Sequence, residues 1–196
     1  SQVAVFHCSG RHNGYMTKLT YYTATTLDGF LADPDDSLAW LLRQQIDDDG
    51  PFNYGQFIAG IGAIVMGSTT YEWVLRNDPE PWSYTVPAWV LTSRVLDIPE
   101  GADVRLASGD VRTVYSRMVE AAGGRDLWVV GGGNLAGQFA DAGLLDEIIV
   151  SIAPVTLGSG KPLLPRRLDL RLAETSRNRA FVCGRYQVLG RLREDR

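Results

Sequence analysis

The sequence predicts an α/β fold in which helices flank a mixed, mostly parallel β-sheet. Apolar runs typical of buried strands alternate along most of the chain with segments of helical periodicity, which is the pattern of parallel βαβ units. Residues 168–178 and 179–192 instead alternate apolar and polar side chains, as an antiparallel pair with one solvated face does. We therefore expect a sheet with both strand directions that ends in an antiparallel C-terminal strand pair.

The remaining elements are expected in a regular alternation. Strands are predicted at about 16–26, 62–66, 86–92, 103–106, 128–130 and 145–153. Helices are predicted at about 34–45, 53–60, 69–76 and 110–122, with one more after residue 134. Three helices carry start signals, namely Pro34 after Asp33, the capping-box spacing of Thr69 and Glu72, and Asn134 as an N-cap.

Composition indicates one domain that does not bind nucleic acid. The 196 residues are 45% hydrophobic and contain no internal repeat or long linker, so they can bury one core. We expect a single domain over residues 16–196, preceded by an extension or tag at 1–15 that lacks the apolar core of a signal peptide or membrane anchor. The net charge is −4, and the only Lys/Arg cluster is the pair Arg166 and Arg167, which argues against a nucleic-acid surface.

The cysteines and histidines argue against several kinds of site. Cys8 and Cys183 lie far apart, so we expect no disulfide framework, and a cytoplasmic location is favoured. His7 and His12 both precede the predicted domain, which argues against a histidine-centred metal site or triad. The sequence also lacks a zinc-binding His/Cys pattern, so we predict no metal.

The strongest functional signal is the glycine triplet at 131–133. An apolar strand runs into it and a short helix follows. Glycines expose backbone amides to a ligand, and a helix N-terminus adds a positive partial charge that suits a phosphate. A second strand-to-helix junction lies at 63–75, where the strand ends at Gly67. Two such junctions are typical of a dinucleotide site, whereas either alone also fits an ordinary turn.

A Rossmann domain is the competing interpretation, because Gly131, Gly133 and Gly137 approach the dinucleotide fingerprint. That fingerprint belongs to the first βα turn, and an acidic residue ends the strand that follows. Here the glycines come late, and the next strand ends in Ala153 and Pro154. We therefore do not expect a Rossmann domain.

Four phrases of the sequence belong together. They are TTLDGFLA at 25–32, VMGSTTYE at 65–72, VVGGGNLAGQF at 129–139 and LLDEIIVSIAPVTLGSGKPLL at 144–164. In this order they resemble the dihydrofolate reductase superfamily, specifically the branch related to the reductase domain of riboflavin-biosynthesis enzymes. The resemblance implies a dihydrofolate reductase-like, eight-stranded mixed sheet, NADPH as hydride donor, a homodimer, and a cis peptide bond between Gly131 and Gly132.

The resemblance also implies a set of cofactor contacts. Around the first strand they are Ala24, Leu27, Asp28 and Gly29; at the first junction Gly67, Ser68, Thr69 and Thr70; and at the triplet Val130, Gly131, Gly132, Gly133, Asn134 and Leu135. Where the family holds the adenosine 2′-phosphate, this chain has Leu91, Thr92, Ser93 and Arg94. A guanidinium beside hydroxyl groups suits a phosphate monoester, which favours NADPH over NADH.

Asp28 and Asp36 are the candidate catalytic acids, because no histidine of the domain is available to supply a proton. Asp28 is also expected to hold its turn by accepting backbone N–H bonds. Ser37 stands where dihydrofolate reductases place the acid that anchors the pterin, which counts against folate as the substrate. The candidate substrate contacts are Trp40, Tyr71 and Thr156.

Together these features predict an NADPH-dependent reductase that transfers a hydride to a small planar heterocyclic or carbonyl/imine substrate, pterin-like or pyrimidine-like. The proton is expected from an acid or from an ordered water. The alternative is a non-catalytic protein that binds NADP or a folate-like ligand, for which Ser37 is the best support. A structural or interaction protein is the third interpretation.

Overall fold

The structure is a computed structural model that describes residues 17–194, and this range contains ten strands and five helices. The strands are β1 (Leu19–Thr26), β2 (Phe30–Ala32), β3 (Ile61–Gly67), β4 (Ala88–Leu91), β5 (Val104–Ala107), β6 (Asp126–Gly131), β7 (Glu147–Ala153), β8 (Lys161–Pro162), β9 (Leu168–Asn178) and β10 (Phe181–Arg191). The helices are α1 (Ala39–Leu42), α2 (Tyr54–Ala59), α3 (Ser68–Asn77), α4 (Val111–Ala122) and α5 (Gly133–Asp141). The predicted extension at 1–15 lies outside the described residues.

Eight of the strands form one sheet in the order β5-β4-β3-β6-β1-β7-β10-β9. All pairings from β5 to β7 are parallel, whereas β10 runs antiparallel to both β7 and β9. This confirms the mixed, mostly parallel sheet and its antiparallel C-terminal pair. Strand β1 lies at the centre of the sheet, with Tyr21 paired to Val129 on one side and to Ile148 on the other.

Each face of the sheet buries its own apolar cluster. On one face α4 and α5 contribute Met118 and Phe139, which are fully buried against β1, β3 and β6. On the other face Tyr71 of α3 packs with Ile64 and Trp128. Alternate residues of β3 serve the two clusters, so this strand is apolar throughout, as buried parallel strands often are. No helix of residues 17–194 is long and apolar enough to cross a membrane.

Two short strands form a separate sheet that periodicity did not predict. Phe30 of β2 pairs with Pro162 of β8, and Ala32 pairs with Lys161. Segments of two and three residues are too short to show an alternating pattern. Their pairing places the chain after β1 beside the chain that leads into β9.

The predicted helix at 34–45 is wrong, because only Ala39–Leu42 is helical. The Oδ1 atom of Asp33 accepts hydrogen bonds from the amides of Asp35 and Ser37, at 2.8 and 2.9 Å. Such local bonds compete with the helix for the same amides. Asp36 adopts the left-handed region with φ 61°, which ends any regular helix at that point.

Two predicted capping side chains are also wrong. Gly67 and Gly132 are the N-cap residues of α3 and α5, and neither helix has a side-chain cap. Glu72 pairs with Arg94 instead of closing a capping box, and the Asn134 side chain accepts a hydrogen bond from Arg166. By contrast, the Asn53 side chain does cap α2, accepting from the Gln56 amide at 2.9 Å.

Candidate functional site

A cavity of about 900 Å³ opens where β3, β4 and β6 end and where α3 and α5 begin. We divide its wall into two sides. The amide side consists of Gly67, Ser68, Thr69, Thr70, Leu91, Thr92, Ser93, Gly131, Gly132, Gly133, Asn134 and Leu135. The aromatic side consists of Tyr22, Leu31, Leu38, Leu41, Tyr84 and Trp128. Parallel strands bind ligands at their carboxyl ends, so the position of the cavity follows from the sheet.

The amide side brings two helix N-termini to one cavity. The first turns of α3 and α5 both line it, and no side chain accepts from their leading amides. Helix N-termini carry unpaired N–H groups and a positive partial charge, so this side suits phosphate oxygens. The peptide bond between Gly131 and Gly132 is cis, as the resemblance implies.

Helix α5 approaches the β8 segment so closely that only glycine fits at its first position. A Cβ atom on Gly133 would lie 2.4 Å from the Pro162 carbonyl oxygen and 2.5 Å from that of Leu163. Both neighbours are backbone atoms and cannot swing away. The close approach fixes the start of α5 against the same segment that carries Lys161 into the cavity wall.

The aromatic side is built on a stack of rings. The Tyr22 ring stacks on Phe57 at 4.2 Å between centroids, and Trp128 meets both rings edge-on. The Tyr22 hydroxyl donates to the Phe52 carbonyl at 2.6 Å, and the Trp128 indole N–H donates to the Tyr22 carbonyl at 3.1 Å. Burial raises the pKa of Tyr22 to about 12, so its hydroxyl stays protonated at neutral pH.

Asp36 and Lys161 are the charged residues in the cavity lining. Their side chains form an ion pair with 3.8 Å between Oδ1 and Nζ, and both are partly exposed. Asp36 was predicted, whereas Lys161 was not. The sequence around Lys161, GSGKP, marks a turn but gives no periodicity that shows where the lysine points. Among residues 17–194, no three His, Cys, Asp or Glu side chains cluster as metal ligands.

The structure brings most of the predicted site residues to this cavity. Those that line it are Ala24, Asp36, Gly67, Ser68, Thr69, Thr70, Leu91, Thr92, Ser93, Val130, Gly131, Gly132, Gly133, Asn134 and Leu135. Those that do not line it are Leu27, Asp28, Gly29, Arg94, Trp40, Tyr71 and Thr156. Sequence reasoning missed Tyr84 and Trp128, because aromatic residues in strands and loops most often signal core.

Asp28 holds two segments together. Its carboxylate accepts from the amides of Leu157 and Gly158, the latter at 2.7 Å, and the Thr26 hydroxyl donates to it at 2.6 Å. The Thr26 hydrogen bond is the main reason that the pKa of Asp28 lies below its ordinary value. These contacts fasten the β1–β2 turn to the segment before β8, so the amides that Asp28 accepts from belong to a distant segment and not to its own turn.

Trp40 and Tyr71, two of the predicted substrate contacts, are both enclosed by protein. Trp40 is 6% exposed and packs against Ala153 and Phe181. Tyr71 is fully buried, and its hydroxyl donates to the Asp97 carbonyl. Trp73, two residues further along α3, does line the cavity. Successive helical residues point about 100° apart, so a shift of two positions changes the face.

Fold and cavity together define an α/β domain of the dihydrofolate reductase-like class. A dihydrofolate reductase from Enterococcus faecalis complexed with NADP(H) matches with a TM-score of 0.54 at 16% identity, over 88% of this chain and 96% of that one, which shows the shared fold. Within this class the chain belongs to the RibD C-terminal domain family, which it matches over residues 17–180. This confirms the superfamily and branch that the four phrases indicated.

Two relatives support this assignment. The uncharacterized protein YwjB of Bacillus subtilis (strain 168) is 30% identical over 161 residues, covering 81% of this chain and 90% of YwjB. A putative riboflavin biosynthesis protein from Shewanella sp. PV-4 has a structure with a TM-score of 0.76 and 25% identity, covering 88% of this chain and 99% of that one. The chain thus shares the fold of the Shewanella protein and resembles YwjB over most of the length of both chains.

Proposed function

We propose that the protein is an NADPH-dependent reductase that transfers a hydride to a small planar heterocyclic or carbonyl/imine substrate, pterin-like or pyrimidine-like. The observation that carries the proposal is the pair of helix N-termini, those of α3 and α5, that open into one cavity without side-chain caps. A ligand with two phosphate-bearing ends satisfies both sets of amides. The aromatic side leaves room beside it for a flat acceptor.

The residues of the amide side fit a dinucleotide. The glycine triplet offers bare backbone to a pyrophosphate, and Thr92 and Ser93 lie where a second phosphate would meet hydroxyl groups. Arg94 follows them and now pairs with Glu72 at 2.5 Å, so a 2′-phosphate would compete with that carboxylate for the guanidinium. When bound, NADPH would supply the hydride. The protein positions the acceptor, and water that enters beside the Asp36–Lys161 ion pair supplies the proton.

A fluorescence titration tests the cofactor. Trp73 and Trp128 both line the cavity, so bound nucleotide should quench tryptophan emission. We expect saturable quenching by NADPH at lower concentration than by NADH. Arg94→Gln should remove most of that preference, whereas the control Arg112→Gln, an exposed arginine paired with Asp110 outside the cavity, should not. If neither NADPH nor NADH quenches the tryptophan emission, the proposal is wrong.

A non-catalytic binder of NADP or a folate-like ligand is the second candidate function. Ser37 favours this candidate, because it stands where dihydrofolate reductases place the acid that anchors the pterin. Its hydroxyl accepts a hydrogen bond from the Ala39 amide at the start of α1. Both candidates bind nucleotide, so turnover separates them. NADPH oxidation should be followed with dihydrofolate, dihydropterins and quinonoid or imine acceptors; a lack of turnover with every acceptor favours the binder.

We also propose that the chain is a cytoplasmic homodimer. Its interface is the face of β9 and β10 that carries Leu170 and Leu172. Leu170 and Leu172 are 41% and 54% exposed, and they pair with Val188 and Tyr186, which pack against the α4–α5 side of the core. This apolar face therefore continues beyond the helices that cover the core. Sedimentation should show a dimer that Leu172→Glu disrupts, while Val95→Glu, in an exposed loop, leaves it intact. A monomeric native protein would contradict this.

A further inference from the structure

The aromatic side of the cavity presents apolar ring surface and few free polar atoms. The Tyr22 hydroxyl and the Trp128 indole N–H are both used in hydrogen bonds to backbone carbonyls. Leu31, Leu38 and Leu41 add aliphatic surface to the same wall. A ligand bound here gains contact area from a flat, apolar ring and little from polar substituents that point at the wall.

The charges of the side chains that line the cavity sum to zero. Among the described residues that line the cavity, Asp36 and Lys161 alone carry charged side chains, and they are paired with each other. The leading amide of α1, at Ala39, is bonded to the Ser37 hydroxyl, so the start of that short helix does not offer this amide to an anion. A phosphate or carboxylate on the aromatic side would lose water without meeting an unpaired cation.

We propose, on the basis of the reductase function above, that the acceptor is an uncharged, planar one- or two-ring carbonyl compound of the quinone or enone class. The Asp36–Lys161 pair discriminates against acceptors that carry a phosphate, sulfonate or carboxylate. For a quinone, the acceptor gains two electrons and one hydrogen as the hydride from NADPH, which becomes NADP⁺, and the quinone becomes a hydroquinone anion. That anion takes one proton from solvent at neutral pH to give the hydroquinone.

Equilibrium dialysis of the full chain measures this preference without turnover. The protein is saturated with NADP⁺, which cannot reduce the ligand, and the probes are naphthoquinone and its ring sulfonate. We expect the neutral quinone to bind at least about tenfold more tightly, since the sulfonate leaves an ionised group without a partner. Equal or tighter binding of the sulfonate overturns the inference.

Two variants test the role of the ion pair. Asp36→Asn keeps the shape of the side chain and suits φ 61°, because asparagine readily adopts the left-handed region. It leaves Lys161 unpaired, so the preference for the neutral quinone should fall about fivefold, the worth of one exposed ion pair. Lys161→Gln leaves Asp36 unpaired and should raise the preference instead. If the ratio of the affinities for the quinone and its sulfonate is the same in the native protein and both variants, the role assigned to the ion pair is wrong.

The outcomes separate this inference from the reductase proposal. NADP⁺ binding is measured first by the same dialysis. If the nucleotide does not bind, the reductase proposal fails, whatever the quinones do. If the nucleotide binds but the sulfonate is preferred, the function stands and the acceptor class proposed here is wrong.

Discussion

Replacing Gly133 with alanine tests the close contact between α5 and the β8 segment. The new Cβ would lie within 2.4–2.5 Å of two carbonyl oxygens, those of Pro162 and Leu163, so the backbone must move by about 1 Å. Overpacking of this kind costs about 3 kcal/mol, and the higher helix propensity of alanine returns at most about 1 kcal/mol. We expect a net loss of about 2 kcal/mol, or a fall of about 4–8 °C in melting temperature.

Gly137→Ala is the matched control, because it is the same change in the same helix. There the Cβ would meet the Arg166 side chain at 2.7 Å, and a flexible arginine can swing away where a carbonyl cannot. We expect its melting temperature to stay within about 2 °C of the native value. Calorimetry of the native protein and the two variants measures these melting temperatures. If Gly133→Ala were as stable as Gly137→Ala, the close contact would not hold α5 in place.

Three further predictions concern the cavity and its supports. The Gly132→Ala variant should fold normally, since no atom lies within 4 Å of the position of the new Cβ. The added methyl group fills space in front of the α5 amides, so the dissociation constant for NADPH should rise about tenfold. An unchanged dissociation constant would argue against nucleotide binding at these amides. Asp28→Asn should lower the melting temperature at pH 7. Because the pKa of Asp28 is depressed in the folded state, that difference should shrink as the pH falls below about 4 and vanish once the pH is below the folded-state pKa, and a deficit that does not shrink in acid would contradict the carboxylate's role. The protonated Tyr22 hydroxyl contributes stability that is complete below pH 10 and is lost as the pH rises to about 12. An alkaline titration followed by tyrosinate absorbance should show that Tyr22 ionises at higher pH than a free tyrosine. Ionisation of Tyr22 near pH 10 without unfolding would refute this prediction.

The sheet was predictable because its strands are long enough to carry their own signal. The run that became β3 is apolar over seven residues, the runs that became β6 and β7 are apolar over most of their length, and glycines mark where the chain turns after β3 and β6. The amide side of the cavity follows directly, since carboxyl ends of parallel strands meet at one edge. Local pattern and global fold agree there.

The aromatic side was harder to predict, because a local competition for backbone amides and contacts distant in sequence both determine it. Asp33 takes amides that would otherwise have extended α1, and the outcome depends on a local competition that periodicity does not show. Lys161 reaches the cavity through the two-residue strand β8, which pairs with Phe30 and Ala32 of β2, far earlier in the chain. Trp40 was expected at a ligand and instead packs on Phe181, at the far end of the sequence.

The central position of β1 has a consequence for how the protein acquires its structure. Leu19, the first residue of that strand, pairs with Leu127 and donates its amide to the Asp146 side chain, 127 positions further along the chain. Contacts of this sequence separation slow folding, because a long loop must close before they form. During synthesis β1 therefore emerges long before either neighbour, and the middle of the sheet is complete only after β7 has left the ribosome.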